Sequence, residues 1–394
     1  MLLKNSLRTN SKAREGTALE PSYRYPGFKS ANYYNGFDET KMLAPNPVAI
    51  SNVDAAAKIR GFDLFASLPP GGYFNLHWDW HRPDVIPKGY DYYIVHFHHE
   101  HIDFEWLEKQ QVDKKIIVLM DFNTYPNSKW PPNCIPLRWI YWHHALRQMI
   151  ELFGTEYNKN IKYKASAFCN RITQSKLVTT TALLETLDKD ELLVSVSDWL
   201  ENKNVHNWQL TGNRVIDALT STFRKKYMGK LVKMDDFTNE QNYHHVTANP
   251  SQIAYQEASL HFTNESFHYS QMHDQVVPGP MLTEKTFKCL LGGTAFITVG
   301  QFDVYRSLEQ LGMHFNYGEL DLSFDNDPGN LSRLESIVKL VYNLTNYTAD
   351  ELYGMTKDSS EHNQKLVTTG EFFHNCQINN LQTLEQIKSI VQTS

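Results

Sequence analysis

Residues Met281–Gly300 read MLTEKTFKCLLGGTAFITVG. The stretch holds two periods. Phe287, Leu290 and Leu291 recur at helical spacing, whereas Ala295–Val299 is an unbroken apolar run. A helix followed at once by a strand buried on both faces belongs to an α/β fold with a covered parallel sheet. Gly292 and Gly293 separate the two and supply a left-handed residue at the helix end. Thr283 is a good N-cap, so Glu284 and Lys285 fall in the first turn. A helix start offers unpaired N–H groups and partial positive charge, which suit a phosphate. Lys285 adds a full charge. The Glu284 carboxylate can accept from two vicinal hydroxyls, such as those of a ribose. The plainer reading is a cap followed by an acid that suits the helix dipole.

The same alternation extends in both directions. DYYIVHF (91–97) and KKIIVLMDF (114–122) read as buried strands, and DFEWLEKQ (103–110) as a short helix capped by Asp103. RWIYWHHALRQMIELFG (138–154) reads as a helix stopped by Gly154. A lysine-rich connection follows, with a boundary expected near 155–162. KASAFCN, LLVSVS and EASLHFTNES then read as strands, and SKLVTTTALLETL and GNRVIDALTSTFRKKYMGK as helices. From Leu331 onward the pattern is helical. The expected architecture is α/β, with two Rossmann-like domains facing a cleft. An irregular arm spans 1–50, a first domain 51–158 and a second 159–394, whose helical tail is expected to pack back across the first. Ligands in such sheets bind outside the carboxyl ends of the strands.

Composition bounds the function. The 394 residues are 41% hydrophobic and 21% charged, an ordinary globular balance. A net charge of −6 argues against a nonspecific grip on nucleic acid. Four cysteines without a CxxC pair read as free thiols of a reducing compartment. The N-terminus lacks the apolar centre of a signal peptide, and no run of about 18 apolar residues occurs. A cytoplasmic location is expected.

The span LHFTNESFHYSQMHDQVVPGPMLTEKTFKCLLGGTAFITVG resembles the donor-binding segment of GT-B glycosyltransferases, in the α1,3-fucosyltransferase and exostosin-type pattern. It is similar above all to glycosyltransferase-like proteins of tailed phages, which continue with elements like LEQLGMHFNYGELDLSFD. The likeness covers about residues 258–326, with a weaker echo at AFCNRITQSK. It implies transfer of a hexosyl or pentosyl group from a nucleotide-sugar to a hydroxyl. The acceptor would be a hydroxymethylated pyrimidine in phage DNA, in the host cytoplasm, or a glycan or protein hydroxyl. It implies Glu284 at the donor ribose, and Lys285 and Arg171 at the diphosphate with Lys176 assisting. Asn264 or Glu265 would line the donor site beside Thr283. The Leu282 position is often aromatic in that family, and Asn264-Glu265-Ser266 departs from its Glu-Asn-Ser order. No cofactor is obligatory on this scheme, and a divalent metal is allowed but not expected. The competing reading is a non-catalytic glycan- or nucleotide-binding protein of a virion with a degenerate form of the fold.

Other clusters offer chemistry. HFHHEHID (96–103) places His96 and His98 on one strand face, with Glu100, His101 and Asp103 nearby, a set that could ligate a metal. The preferred role is at a strand end of the first domain. There Glu100, His98 or Asp121, at the next strand end, would take the acceptor proton. SFDND holds Asp325 and Asp327 in a DxD, expected to be a solvated acidic turn. HWDWHRPD (77–84) is an aromatic platform or a packed corner. FRKKYMGKLVK (223–233) reads as a helix end complementing its dipole rather than a nucleic-acid patch.

Overall fold

Strands with apolar residues on both faces need cover on both faces, and the two four-stranded sheets among the described residues find it in different ways. The computed structural model describes residues 73–392 apart from 78–84, 87, 91, 98–101, 111, 113, 121–128, 141–145, 147–157, 170–172, 197–209, 228–252, 266–267, 270, 273–274 and 277–278. Strands β1 (Tyr73–His77), β2 (Tyr92–Phe97), β3 (Ile116–Met120) and β4 (Cys134–Arg138) pair in that spatial order, all parallel. Between β2 and β3 runs α1 (Phe104–Lys109), where Asp103 accepts Trp106 N–H at 2.8 Å. Tyr93, Val95, Phe97, Ile116, Val118 and Met120 pack with Trp106 and Leu107 of α1. Tyr92, Ile94, Ile117 and Leu119 belong to the other face.

The chain then builds a second sheet. Its elements are β5 (Tyr163–Cys169), α2 (Gln174–Thr186), β6 (Leu192–Val196), α3 (Arg214–Lys226), α4 (Ile253–Glu257) and β7 (Ala258–Asn264). A small antiparallel pair, β8 (Gln271–Met272) and β9 (Gln275–Val276), precedes α5 (Glu284–Leu291), β10 (Ala295–Val299) and α6 (Val304–Glu309). Helices α7 (Asn330–Asn343), α8 (Ala349–Thr368) and α9 (Glu371–Gln392) follow. The spatial order is β10-β7-β5-β6, all parallel. The chain leaves β5 in one direction for β6 and returns on the other side for β7. The winding therefore reverses between β5 and β7, the kind of point where open α/β sheets open a crevice.

Among the described residues the first sheet has no such reversal. Its described strands advance in one direction, and α1, which connects β2 to β3, packs on the face of Tyr93, Val95 and Phe97. Among the described residues α9 packs on the other face. Leu384 and Ile387 pack against Tyr92, Ile94, Ile117, Leu119 and Trp139. Asn380 accepts Ile140 N–H at 2.8 Å and donates to Ile140 O at 3.0 Å, while Thr383 donates to Arg138 O at 2.5 Å.

One expectation needs correcting. CIPLR is strand β4, so Arg138 ends a strand and does not open a helix. Of residues 141–154 only Leu146 is described, and it is helical. All four cysteines are buried free thiols. The arm over 1–50 lies outside the described residues.

Candidate functional site

Strand β5 ends at Cys169 and β7 at Asn264, on either side of the winding reversal. Asn264 Nδ2 donates to Phe168 O at 2.9 Å and stitches the two strands together at their carboxyl ends. Its Oδ1 is buried without a partner among the described residues. Such an unpaired acceptor costs about 1–3 kcal/mol if nothing fills it.

Glu265, only 1% exposed, follows directly. Its carboxylate accepts from Thr283 N–H (3.2 Å), Thr283 Oγ1 (2.5 Å) and Thr286 Oγ1 (2.6 Å). Expected to line a ligand, it instead spends its oxygens on the first turn of α5. Gly300 allows this packing, since a Cβ there would stand 3.2 Å from Glu265 Cβ. Thr283 is the N-cap of α5, accepting Lys285 N–H at 3.4 Å, and Lys285 Nζ reaches the same hydroxyl at 3.0 Å. Gly292 closes the helix at φ −72°, and Gly293 takes the left-handed conformation at φ 59°.

The electrostatics draw in α2. Lys176 lies in its first turn and is buried. The α2 N-cap, Thr173, makes no side-chain capping bond; its hydroxyl lies 3.1 Å from Ser175 Oγ. Burial pushes the Cys169 thiol up to about 11, while Lys176 and Lys285 both pull it the other way. Two cations from the starts of two different helices thus act on one atom at the end of β5. A dianion such as a diphosphate suits that place.

The mouth of this edge is stitched by residues that sequence reasoning missed. Arg333, fully buried in the first turn of α7, donates to Gly300 O (3.1 Å), Asp327 O (2.8 Å) and His268 O. Its position one turn before Ile337, on the apolar stripe of α7, was the available signal. Gln301 Oε1 accepts Met281 N–H at 2.8 Å, and its Nε2 donates to Tyr269 O at 2.9 Å.

Asp325 is not solvated. It is 3% exposed, and its two oxygens accept Val304 N–H and Tyr305 N–H, each at 2.9 Å, so it caps α6 from a distance. Burial raises its carboxyl to about 7. Asp327 accepts Gly329 N–H at 2.7 Å and shapes the next turn. In the basic run, Lys226 and Tyr227 both bond Glu185 at 2.5 Å, as a helix end would. Leu282 is fully buried and presents no ring or side chain to a ligand.

His98, Glu100, His101, Asp121 and Arg171 lie outside the described residues, as do the side chains of His96 and Glu284 and the stretches 78–84 and 228–233. Among the described residues no three His, Cys, Asp or Glu cluster as a metal would require, and no helix is long and apolar enough to cross a membrane. The chain matches no protein-family model, no curated protein and no solved structure.

Proposed function

We propose that the chain is a glycosyltransferase of two Rossmann-like domains that takes a nucleotide-sugar and transfers the sugar to a hydroxyl. One observation carries the reading: Lys176 and Lys285 lie in the first turns of α2 and α5, the one following β5 and the other bonded through Thr283 to Glu265 at the end of β7, on either side of the winding reversal of a parallel sheet. The diphosphate sits there. As the bond between the sugar C1 and the phosphate oxygen breaks, the leaving diphosphate gains charge, and the two ammonium groups with the α5 start stabilise it. No metal is needed for that role. Glu284 holds the ribose and Arg171 adds a third cation, as the resemblance implies. The acceptor oxygen forms the new bond to C1 and gives its proton to a base of the first domain, with Glu100, His98 and Asp121 as candidates. A hydroxymethylated pyrimidine of phage DNA in the host cytoplasm, or a glycan hydroxyl, is the acceptor class.

Calorimetric titration with GDP and UDP tests the reading. Micromolar binding by the wild type, lost in the Lys176→Ala/Lys285→Ala double variant with its fold intact, is expected. No binding of any nucleoside diphosphate would overturn it. Binding without transfer or hydrolysis of the matching nucleotide-sugars would favour the non-catalytic alternative.

A further inference from the structure

A hydroxyl has one proton to give, and at Thr283 that proton is committed. Thr283 Oγ1 donates it to Glu265 Oε2 at 2.5 Å. The hydroxyl's lone pairs therefore face away from Glu265, and Lys285 Nζ donates to the same oxygen at 3.0 Å. A buried carboxylate is thus linked to an ammonium group through a single hydroxyl. Charge at one end of such a chain polarises the hydroxyl and strengthens its bond to the other end. The carboxylate end is fixed in place. Its Oε1 accepts from Thr283 N–H at 3.2 Å and from Thr286 Oγ1 at 2.6 Å. Gly300 backs it, since a Cβ there would stand 3.2 Å from Glu265 Cβ and 3.5 Å from its Cγ.

A lysine side chain ordinarily samples many rotamers, and gripping an anion costs it that freedom. At Lys285 part of the cost is met before any ligand arrives, because one of the three ammonium protons is already held over the first turn of α5. We infer that Glu265 is a positioning residue for the diphosphate: through the Thr283 hydroxyl it holds the Lys285 ammonium at the α5 start, without touching the ligand itself. The inference rests on the functional reading above and adds the group that orients one of its two cations.

Glu265→Gln tests it with little change of shape. Two donors meet Oε1, so the glutamine oxygen keeps that place and its Nε2 takes the place of Oε2. The amide then donates to Thr283 Oγ1, whose proton turns toward Lys285 and repels the ammonium. The probe is GDP or UDP, whichever the wild type binds more tightly, titrated into the wild type, Glu265→Gln, Lys285→Ala and the double variant. Glu265→Gln is expected to weaken binding about tenfold, and to have no further effect once Lys285 is gone. Unchanged affinity in Glu265→Gln overturns the inference. An equal loss in both backgrounds also overturns it, since the carboxylate would then act only through the fold of the helix start. Wild-type affinity in Lys285→Ala overturns it too, and leaves the functional reading resting on Lys176. Thr283→Val and Thr283→Ser decide the matter if Glu265→Gln does not fold or Lys285→Ala binds too weakly to measure. Valine is expected to weaken the nucleotide about tenfold and serine to bind like wild type; equal affinities of the two overturn the inference. If the wild type binds neither nucleotide, the functional reading falls and the inference falls with it.

Discussion

Glu265 and Thr283 are bonded twice, through the threonine hydroxyl at 2.5 Å and its backbone N–H at 3.2 Å. The end of β7 and the start of α5 are thereby one unit, with Thr286 as a third tie. Glu265→Ala strands these donors in a buried place. It should cost about 2–4 kcal/mol in urea unfolding, with the denaturant slope unchanged. If Glu265 were chiefly a ligand contact, stability would stay near wild type and only affinity would fall.

Asn380 occupies both polar groups of Ile140. Asn380→Ala leaves a buried N–H and a buried C=O without partners, at a cost of about 2–4 kcal/mol. Amide exchange should quicken first in β2 and β3, whose second face α9 covers. Unaltered exchange there would show that the apolar contacts of Leu384 and Ile387 suffice alone.

Acid should destabilise the protein through two buried imidazoles. Burial, with Lys288 nearby, lowers His261 from 6.5 to about 3; burial and Arg333 do the same to His268. Above about pH 6.5 both are neutral folded or unfolded, and their contribution is full. As pH falls toward about 3, the unfolded chain takes protons that the folded chain refuses, so stability drops. Asp325 works in the opposite sense. Its carboxyl, raised to about 7, keeps a proton that the unfolded chain releases near 3.8, so its contribution falls as pH rises through that window. Of these three groups the two histidines outweigh the one acid where the windows overlap. His261→Gln should therefore lower the slope of stability against pH by about one proton between about pH 4 and 6.5. An unchanged slope in urea titrations would mean that His261, 2.8 Å from Ser166 Oγ, titrates alike in both states.

Nucleoside diphosphate binding should survive a chelator, because Lys176, Lys285 and the α5 start neutralise the ligand. Asp325→Ala should lower the melting temperature by removing the α6 cap, about 1–2 kcal/mol, without creating or removing a metal dependence. Loss of binding in chelator, restored by magnesium, would overturn the metal-free scheme.

The sheet elements were legible where local pattern decides them. Thr283, the apolar periodicity of α5 and Gly293 define a helix and its ends without reference to the rest of the chain. Strand β4 was missed because Pro136 interrupts its five residues. Proline marks an edge strand, and among the described residues β4 is at the edge of its sheet. Lys285 was readable as a cation at a helix start, and Lys176 only through the resemblance. The fates of Glu265 and Asp325 were not, since their partners lie 18 to 21 residues away in the chain. Whether a carboxylate meets water, a ligand or a distant helix start is decided by packing, and no local spacing encodes that. Gln301 escaped for the same reason.

The cover that Leu384 and Ile387 give to Tyr92, Ile94, Ile117 and Leu119 sets an order of events during synthesis. These four side chains leave the ribosome long before residues 371–392 exist. Until then their face of the sheet lacks the cover of α9 and offers apolar surface to chaperones and to other nascent chains. The amino-terminal half therefore cannot mature ahead of the rest, although its strands are complete early. Chains stalled before residue 371 should be cut in β2 and β3 by a protease that spares the finished protein, and equal resistance of the two would show that this sheet matures without its distant helix.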